Sequence, residues 1–103
     1  MRNFLVYIIY SDKLSKFYIG TTNDFQARLF EHNSETKPDS FTLRGRPWKQ
    51  FLIIEGLSSK QAYGIENHLK QMKSKKYLEN LLKYTEMVEK LKLFRQNWVA
   101  FLF

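Results

Sequence analysis

Apolar residues change their spacing from one stretch of the chain to the next, and that spacing predicts the order of strands and helices. The run Asn3-Phe4-Leu5-Val6-Tyr7-Ile8-Ile9-Tyr10 is dense in β-branched and aromatic residues, the composition of a buried strand. Ser11 to Ser15 is a turn. Lys16-Phe17-Tyr18-Ile19-Gly20 is a second short strand, close enough in sequence to pair with the first as an antiparallel hairpin. That pairing brings Tyr7 and Tyr18 near each other. Polar side chains from Thr21 to Asp24 then offer a helix start, with Asn23 and Gln26 at capping-box spacing, and a helix is expected from Asp24 to Asn33.

Ser34 to Pro47 is polar, holds both prolines and has no periodicity, which predicts a long surface loop placed to touch a substrate. Trp48 to Glu55, centred on Phe51-Leu52-Ile53-Ile54, is a third buried strand. Ser58 and Gln61 cap a helix whose apolar face is Ala62, Ile65, Leu69 and Met72 and which is expected to reach Lys75. Two shorter helices follow, Lys76 to Lys83 with Leu78, Leu81 and Leu82, and Glu86 to Gln96 with Met87, Leu91 and Phe94, separated by Tyr84-Thr85. Trp98 to Phe103 is an apolar tail that can dock on the core or on a protein partner. This order implies an α/β sandwich, a small mixed sheet of about three strands flanked by helices.

The length of 103 residues suits one domain, and 44% hydrophobic residues supply its core. Charge changes the picture more. Seventeen Lys and Arg against ten Asp and Glu leave +7, an excess that attracts polyanions by releasing their condensed counterions, although many small proteins carry charge for solubility alone. Nucleic acid is the favoured partner. With no cysteine there is neither a disulfide framework nor a thiolate zinc site, so a metal must use oxygen or imidazole ligands, as Mg²⁺ does. Phe4 to Tyr10 is too short to span a bilayer, and a soluble, intracellular, cytoplasmic protein with no membrane role is expected. A glycine-rich phosphate loop and a nucleophile elbow are both missing.

Several residues carry candidate chemistry, each beside a plainer explanation. Arg28 and His32 stand four apart and project from one helix face; an isolated surface arginine and a helix-end histidine are the commoner cases. Glu66 and Lys70 are also at i,i+4 spacing and on their own make an ordinary solvated pair. Lys70, Lys73, Lys75 and Lys76 crowd one helix end, where the helix dipole favours cations without any ligand. His68, two positions from Glu66, lies on a different helix face and shares no ion with it.

Taken in order, Leu5-Val6-Tyr7, Tyr18-Ile19-Gly20, then Arg28, His32 and Asn33, then Glu66, resemble the GIY-YIG nuclease family. Leu5 and Val6 stand where the family name has Gly and Ile, while Tyr7 is kept and the second triplet is intact. The resemblance runs from Tyr18 through Asn33 almost position for position and extends through Arg46-Pro47-Trp48 and the Ile65–Lys70 segment. It implies a nuclease unit over residues 1–83, with 84–103 as a helical extension and tail of the same domain. It also implies a metal-dependent endonuclease acting on DNA, with Glu66 anchoring Mg²⁺ or Mn²⁺.

Further roles follow from the resemblance. Tyr7 is a general base or water-orienting group and Tyr18 supports it. Arg28 clamps the charge of the transition state, because a guanidinium meets phosphate in a bidentate, permanently charged way. His32 relays or orients a proton. The tyrosine phenols, ordinarily near pKa 10, are expected to be lowered by the adjacent Arg and metal charge. Arg44, Arg46, Lys70, Lys73, Lys76 and Asn80 are candidate nucleic-acid contacts. DNA that is branched, damaged, single-stranded or plain duplex remains open as substrate. The alternatives are a non-catalytic DNA- or RNA-binding module, and an interaction subunit of a repair or recombination complex.

Overall fold

β1 (Phe4–Ser11) lies in the middle of a three-stranded sheet, and that position accounts for its composition. A strand covered on both faces needs apolar side chains at consecutive positions rather than alternate ones; Val6, Tyr7, Ile8 and Ile9 are all buried. β2 (Lys16–Thr22) pairs antiparallel with it, Tyr7 opposite Gly20 and Ile9 opposite Tyr18. β3 (Trp48–Leu57) pairs antiparallel on the other side, Tyr7 opposite Ile53. The sheet is therefore antiparallel throughout and not mixed. β2 and β3 run in the same direction, but β1 separates them, so no parallel ladder forms. These features belong to a computed structural model that describes residues 3–34 and 44–96. Most of the expected Ser34–Pro47 loop and the whole Trp98–Phe103 tail lie outside the described residues.

Helix boundaries follow capping chemistry. Asp24, not Asn23, caps α1 (Phe25–Asn33), its carboxylate accepting the Ala27 backbone N–H at 3.1 Å, so the expected Asn23–Gln26 box gives way to a cap one position later. Ser58 and Gln61 do form a reciprocal capping box at the start of α2 (Ser59–Met72). The buried Gln61 amide also donates to the Lys92 carbonyl at 3.0 Å and so ties α2 to α4 (Thr85–Gln96). α2 stops short of the expected Lys75 because Lys73 takes a left-handed conformation (φ 48°) and Ser74 caps α3 (Lys75–Lys83). Met72, expected in the core, is 43% exposed at that turn.

The sheet separates two apolar clusters. On one face Val6, Ile8 and Ile54 pack with Ala62, Ile65 and Leu69 of α2, Leu78 and Leu81 of α3 and Leu91 of α4. On the other, Tyr7 and Ile9 pack with Phe25 of α1 and Trp48 of β3. No helix among the described residues is long and apolar enough to cross a membrane. Ile65 is fully buried at the centre of the larger cluster. Ile65→Ala is expected to cost about 2–5 kcal/mol of stability, the usual range for deleting such a side chain; urea unfolding followed by circular dichroism checks it, and a loss below about 1 kcal/mol would contradict this packing.

Candidate active site

Tyr7 and Tyr18 reach the same face of the sheet because their strand positions differ by one diagonal step in the β1–β2 register, and their rings stack with centroids 6.4 Å apart. The phenol of Tyr7 extends across β2 over Gly20. A Cβ on Gly20 would collide with the Tyr7 hydroxyl and with its ring carbon 2.5 Å away, so only glycine leaves this phenol in place. That steric demand explains the last residue of the Tyr18-Ile19-Gly20 triplet.

Two side chains of α1 converge on the same oxygen. His32, buried, places Nε2 2.9 Å from the Tyr7 hydroxyl, and Arg28 donates to it from Nε at 3.3 Å. Their four-residue spacing puts both on the face that α1 turns to the sheet. With the Arg28 N–H occupying an acceptor site on Tyr7, the phenol proton is directed at His32 Nε2, an assignment drawn from the bonding pattern. Arg28 also donates to Glu31 at 2.7 Å, which raises its basicity further against partial burial and keeps it charged.

Burial pushes the Tyr7 phenol up to about 12, with Tyr18 and Glu66 adding to the rise and the Arg28 hydrogen bond and charge opposing it. In the protein alone, loss of water around the buried phenol outweighs the Arg28 guanidinium, one of the two charges expected to lower it. Near neutral pH Tyr7 holds its proton.

The far end of α1 is locked to the sheet by a residue with no role expected from sequence. Asn33 accepts the Trp48 backbone N–H at 2.6 Å and donates to the Trp48 carbonyl at 3.2 Å. This clamp sets the start of β3, whose buried Trp48 ring meets Tyr18 edge-on at 6.1 Å, while the His32 ring meets Tyr18 edge-on at 4.6 Å. Tyr18 is therefore fixed between α1 and β3.

Glu66 comes from the other side of the sheet. Thr21, one residue beyond Gly20, faces α2 by strand alternation and donates to Glu66 Oε1 at 2.5 Å. Lys70 takes Oε2 at 2.5 Å, and the Glu66 side chain is only 15% exposed. The carboxylate still bears on Tyr7, raising its pKa across the edge strand. The site thus straddles β2, with the phenols, His32 and Arg28 on one face and Glu66 with its Lys70 partner on the other.

Tyr7, Tyr18, Arg28 and His32 are brought into direct contact, and Glu66 stands within electrostatic reach. Of the candidate nucleic-acid contacts, Lys70 joins the site by pairing with Glu66, while none of the contacts that assemble it runs through Lys73, Lys76 or Asn80. Asn80 uses its backbone carbonyl to accept the Tyr84 N–H at the end of α3. Arg44 and Arg46 precede β3, Arg46 by a cis bond to Pro47 just before the clamped Trp48. Sequence reasoning missed Glu31, although its spacing from Arg28 was visible, and missed Thr21, whose partner is distant in the chain. Among the described residues no three His, Cys, Asp or Glu side chains gather as a metal cluster.

A buried tyrosine shared by histidine and arginine on a small sheet, with one acid across the edge strand, is set beside known proteins by comparison. Residues 3–80 match the family model of the GIY-YIG catalytic domain, and the chain belongs to that family. It is 33% identical over 90 residues to "Uncharacterized protein L300" of Acanthamoeba polyphaga mimivirus, covering 84% of this chain and 54% of that protein. It is 39% identical over 59 residues to "Structure-specific endonuclease subunit slx1" of Schizosaccharomyces japonicus, covering 54% of this chain and 22% of that protein. No solved structure matches. The chain spans about half the length of the first of these relatives and less than a quarter of the second. The family match and the slx1 similarity support a nuclease-type function.

Because the Tyr7 pKa is raised on folding, the folded state binds more protons than the unfolded chain between pH 10 and about 12. Its contribution is complete below pH 10 and is lost as pH rises through that window. Wild-type stability is therefore expected to fall between pH 9 and pH 11 by about 1 kcal/mol more than that of Tyr7→Phe. Denaturant titrations at the two pH values check this; equal losses would show that Tyr7 ionises as freely folded as unfolded.

Proposed function

We propose that the protein is a cytoplasmic endonuclease that hydrolyses DNA phosphodiester bonds with a divalent ion, Mg²⁺ or Mn²⁺, carried by Glu66. The observation that carries this reading is the Tyr7 hydroxyl held between His32 and Arg28, with the Glu66 carboxylate bearing on it across β2. The donor set fits a water-rich ion: Mg²⁺ keeps most of its waters and needs only one or two carboxylates. Glu66 supplies one, with Thr21 fixing its orientation and Lys70 as a partner the ion would displace. Such an ion would neutralise the charge that builds on the phosphate.

The chain's own residues supply the proton path and the clamp. Tyr7 is neutral near pH 7, so it accepts a proton from an attacking water only as it passes its own proton to His32 Nε2, 2.9 Å away. Arg28, held charged by Glu31, places its guanidinium beside the same oxygen and can meet the phosphoryl charge as it develops. Tyr18, packed against His32 and Trp48, keeps the relay in register and lines the approach.

The relative named as a subunit of a structure-specific endonuclease supports structured or branched DNA as substrate, and a protein partner for which Trp98–Phe103 offers an apolar segment. Arg44, Arg46, Lys70, Lys73, Lys76 and Asn80 are the proposed nucleic-acid contacts. One observation favours a second reading, a non-catalytic nucleic-acid-binding module: Lys70 already occupies a carboxylate oxygen of Glu66.

Cleavage of labelled duplex, single-stranded and branched DNA, with Mg²⁺ or Mn²⁺ and with chelator, separates the two. Metal-dependent products are expected, reduced about 10³-fold in Glu66→Ala with binding nearly unchanged, since several kcal/mol of charge stabilisation is removed but no cation. Retained activity in Glu66→Ala would overturn the assigned site. Salt-sensitive binding without cleavage of any substrate would establish the binding module.

A further inference from the structure

An open cleft of about 410 Å³ lies between the edge strand β2 and the junction of α2 and α3. Its rim carries Lys16, Lys70, Lys73 and Lys75, while the half-buried Phe17 and Ile19, alternate residues on one face of β2, supply its apolar wall. Lys70 is paired with Glu66 and Lys75 donates to the Ser15 carbonyl at 2.6 Å. Lys16 and Lys73 make no ion pair among the described residues, so two uncompensated cations face one cleft. Their mutual repulsion is relieved by an anion between them. A lone phosphate would need no apolar wall, and bases stacked in a duplex present no free ring face to one. The ligand that matches both features has a phosphate joined to a flat, weakly polar ring, and stacking platforms beside cationic grooves bind single strands in this way.

We infer that this cleft seats one unstacked nucleotide of a single-stranded nucleic-acid segment, its phosphate between Lys16 and Lys73 and its base against the wall of Phe17 and Ile19. The inference deepens the nuclease reading and rests on it for the identity of the polyanion. Continuity favours nucleic acid over the other occupant an edge strand invites, an acidic peptide added to the sheet. Tyr18 and Lys70 line the cleft and also belong to the site, so a strand seated there leads directly to the Glu66 carboxylate.

Fluorescence anisotropy in chelator, where nothing is cut, tests the cleft with three labelled probes: a dT tract, an abasic tract with the same number of phosphates, and a poly-glutamate peptide. Wild type is compared with the exposed double variant Lys16→Gln/Lys73→Gln, its fold checked by circular dichroism. The dT tract is expected to bind about tenfold tighter than the abasic tract. In the double variant the slope of log affinity on log salt should shrink by about 0.7, the value for one single-strand phosphate contact.

Equal affinity for dT and abasic tracts, or an unchanged salt slope, would overturn the nucleotide seat. So would peptide binding that is tighter than dT binding and lost in the double variant. Metal-dependent cleavage together with an unchanged slope overturns the cleft alone. Variant-sensitive dT binding without any cleavage sustains the cleft and overturns the nuclease reading.

Discussion

Everything at this site depends on where the Tyr7 phenol lies. β1 is the central strand, so the Tyr7 ring has no route to water and must pass over a neighbouring strand. Gly20 is the position it crosses, and any side chain there would evict it. Once buried, the hydroxyl needs partners, because an unsatisfied polar group in an apolar setting costs on the order of 1–3 kcal/mol. His32 and Arg28 meet that need from one face of α1, which also fixes how the helix sits on the sheet. Asn33, one residue past His32, then holds the backbone of Trp48 and aligns β3 with the same helix.

An antiparallel sheet of only three strands places this pocket one strand from an edge, and the layout of the site follows from that geometry. Tyr7 and Tyr18 sit on the α1 face, whereas Thr21 turns to α2 and grips Glu66. Acid and phenol therefore share one electrostatic field while each is anchored in a different apolar cluster. Glu66 pairs with Lys70 and Arg28 with Glu31, so the charges near the phenol are individually compensated, while burial keeps the phenol itself neutral. Charge compensation makes the resting site quiet; in the proposed reaction a phosphate and a divalent ion would claim that cation and that carboxylate.

Much of this was legible in the sequence where the signal is local. The apolar run of β1, the short β2 and the Ser58–Gln61 box each carry their own period or cap, and the structure forms them, with the expected Ser11–Ser15 turn shortened by one residue because Ser11 stays in β1 and pairs with Lys16. The i,i+4 spacing of Arg28 and His32 placed both on one helix face, and they meet at Tyr7. What was not legible depends on contacts distant in sequence. Strand order decides that β2 and β3 never pair, Lys73 ends α2 through backbone conformation, and Thr21 finds Glu66 only once α2 is laid on the sheet. The weight of burial at Tyr7 was not legible for a related reason: neighbouring charge shows in the sequence, but depth of burial does not.

The central claim is that the Tyr7 hydroxyl, held over Gly20 by His32 and Arg28, is the working group of the site. Gly20→Ala tests it most directly, since one methyl displaces the phenol while every polar side chain remains in the sequence. Metal-dependent DNA cleavage is measured at a temperature where circular dichroism shows the variant folded. Loss of about 10²-fold in rate, the usual consequence of a small misplacement of a reacting group, is the expected result. A folded Gly20→Ala protein that cleaves at the wild-type rate would contradict it.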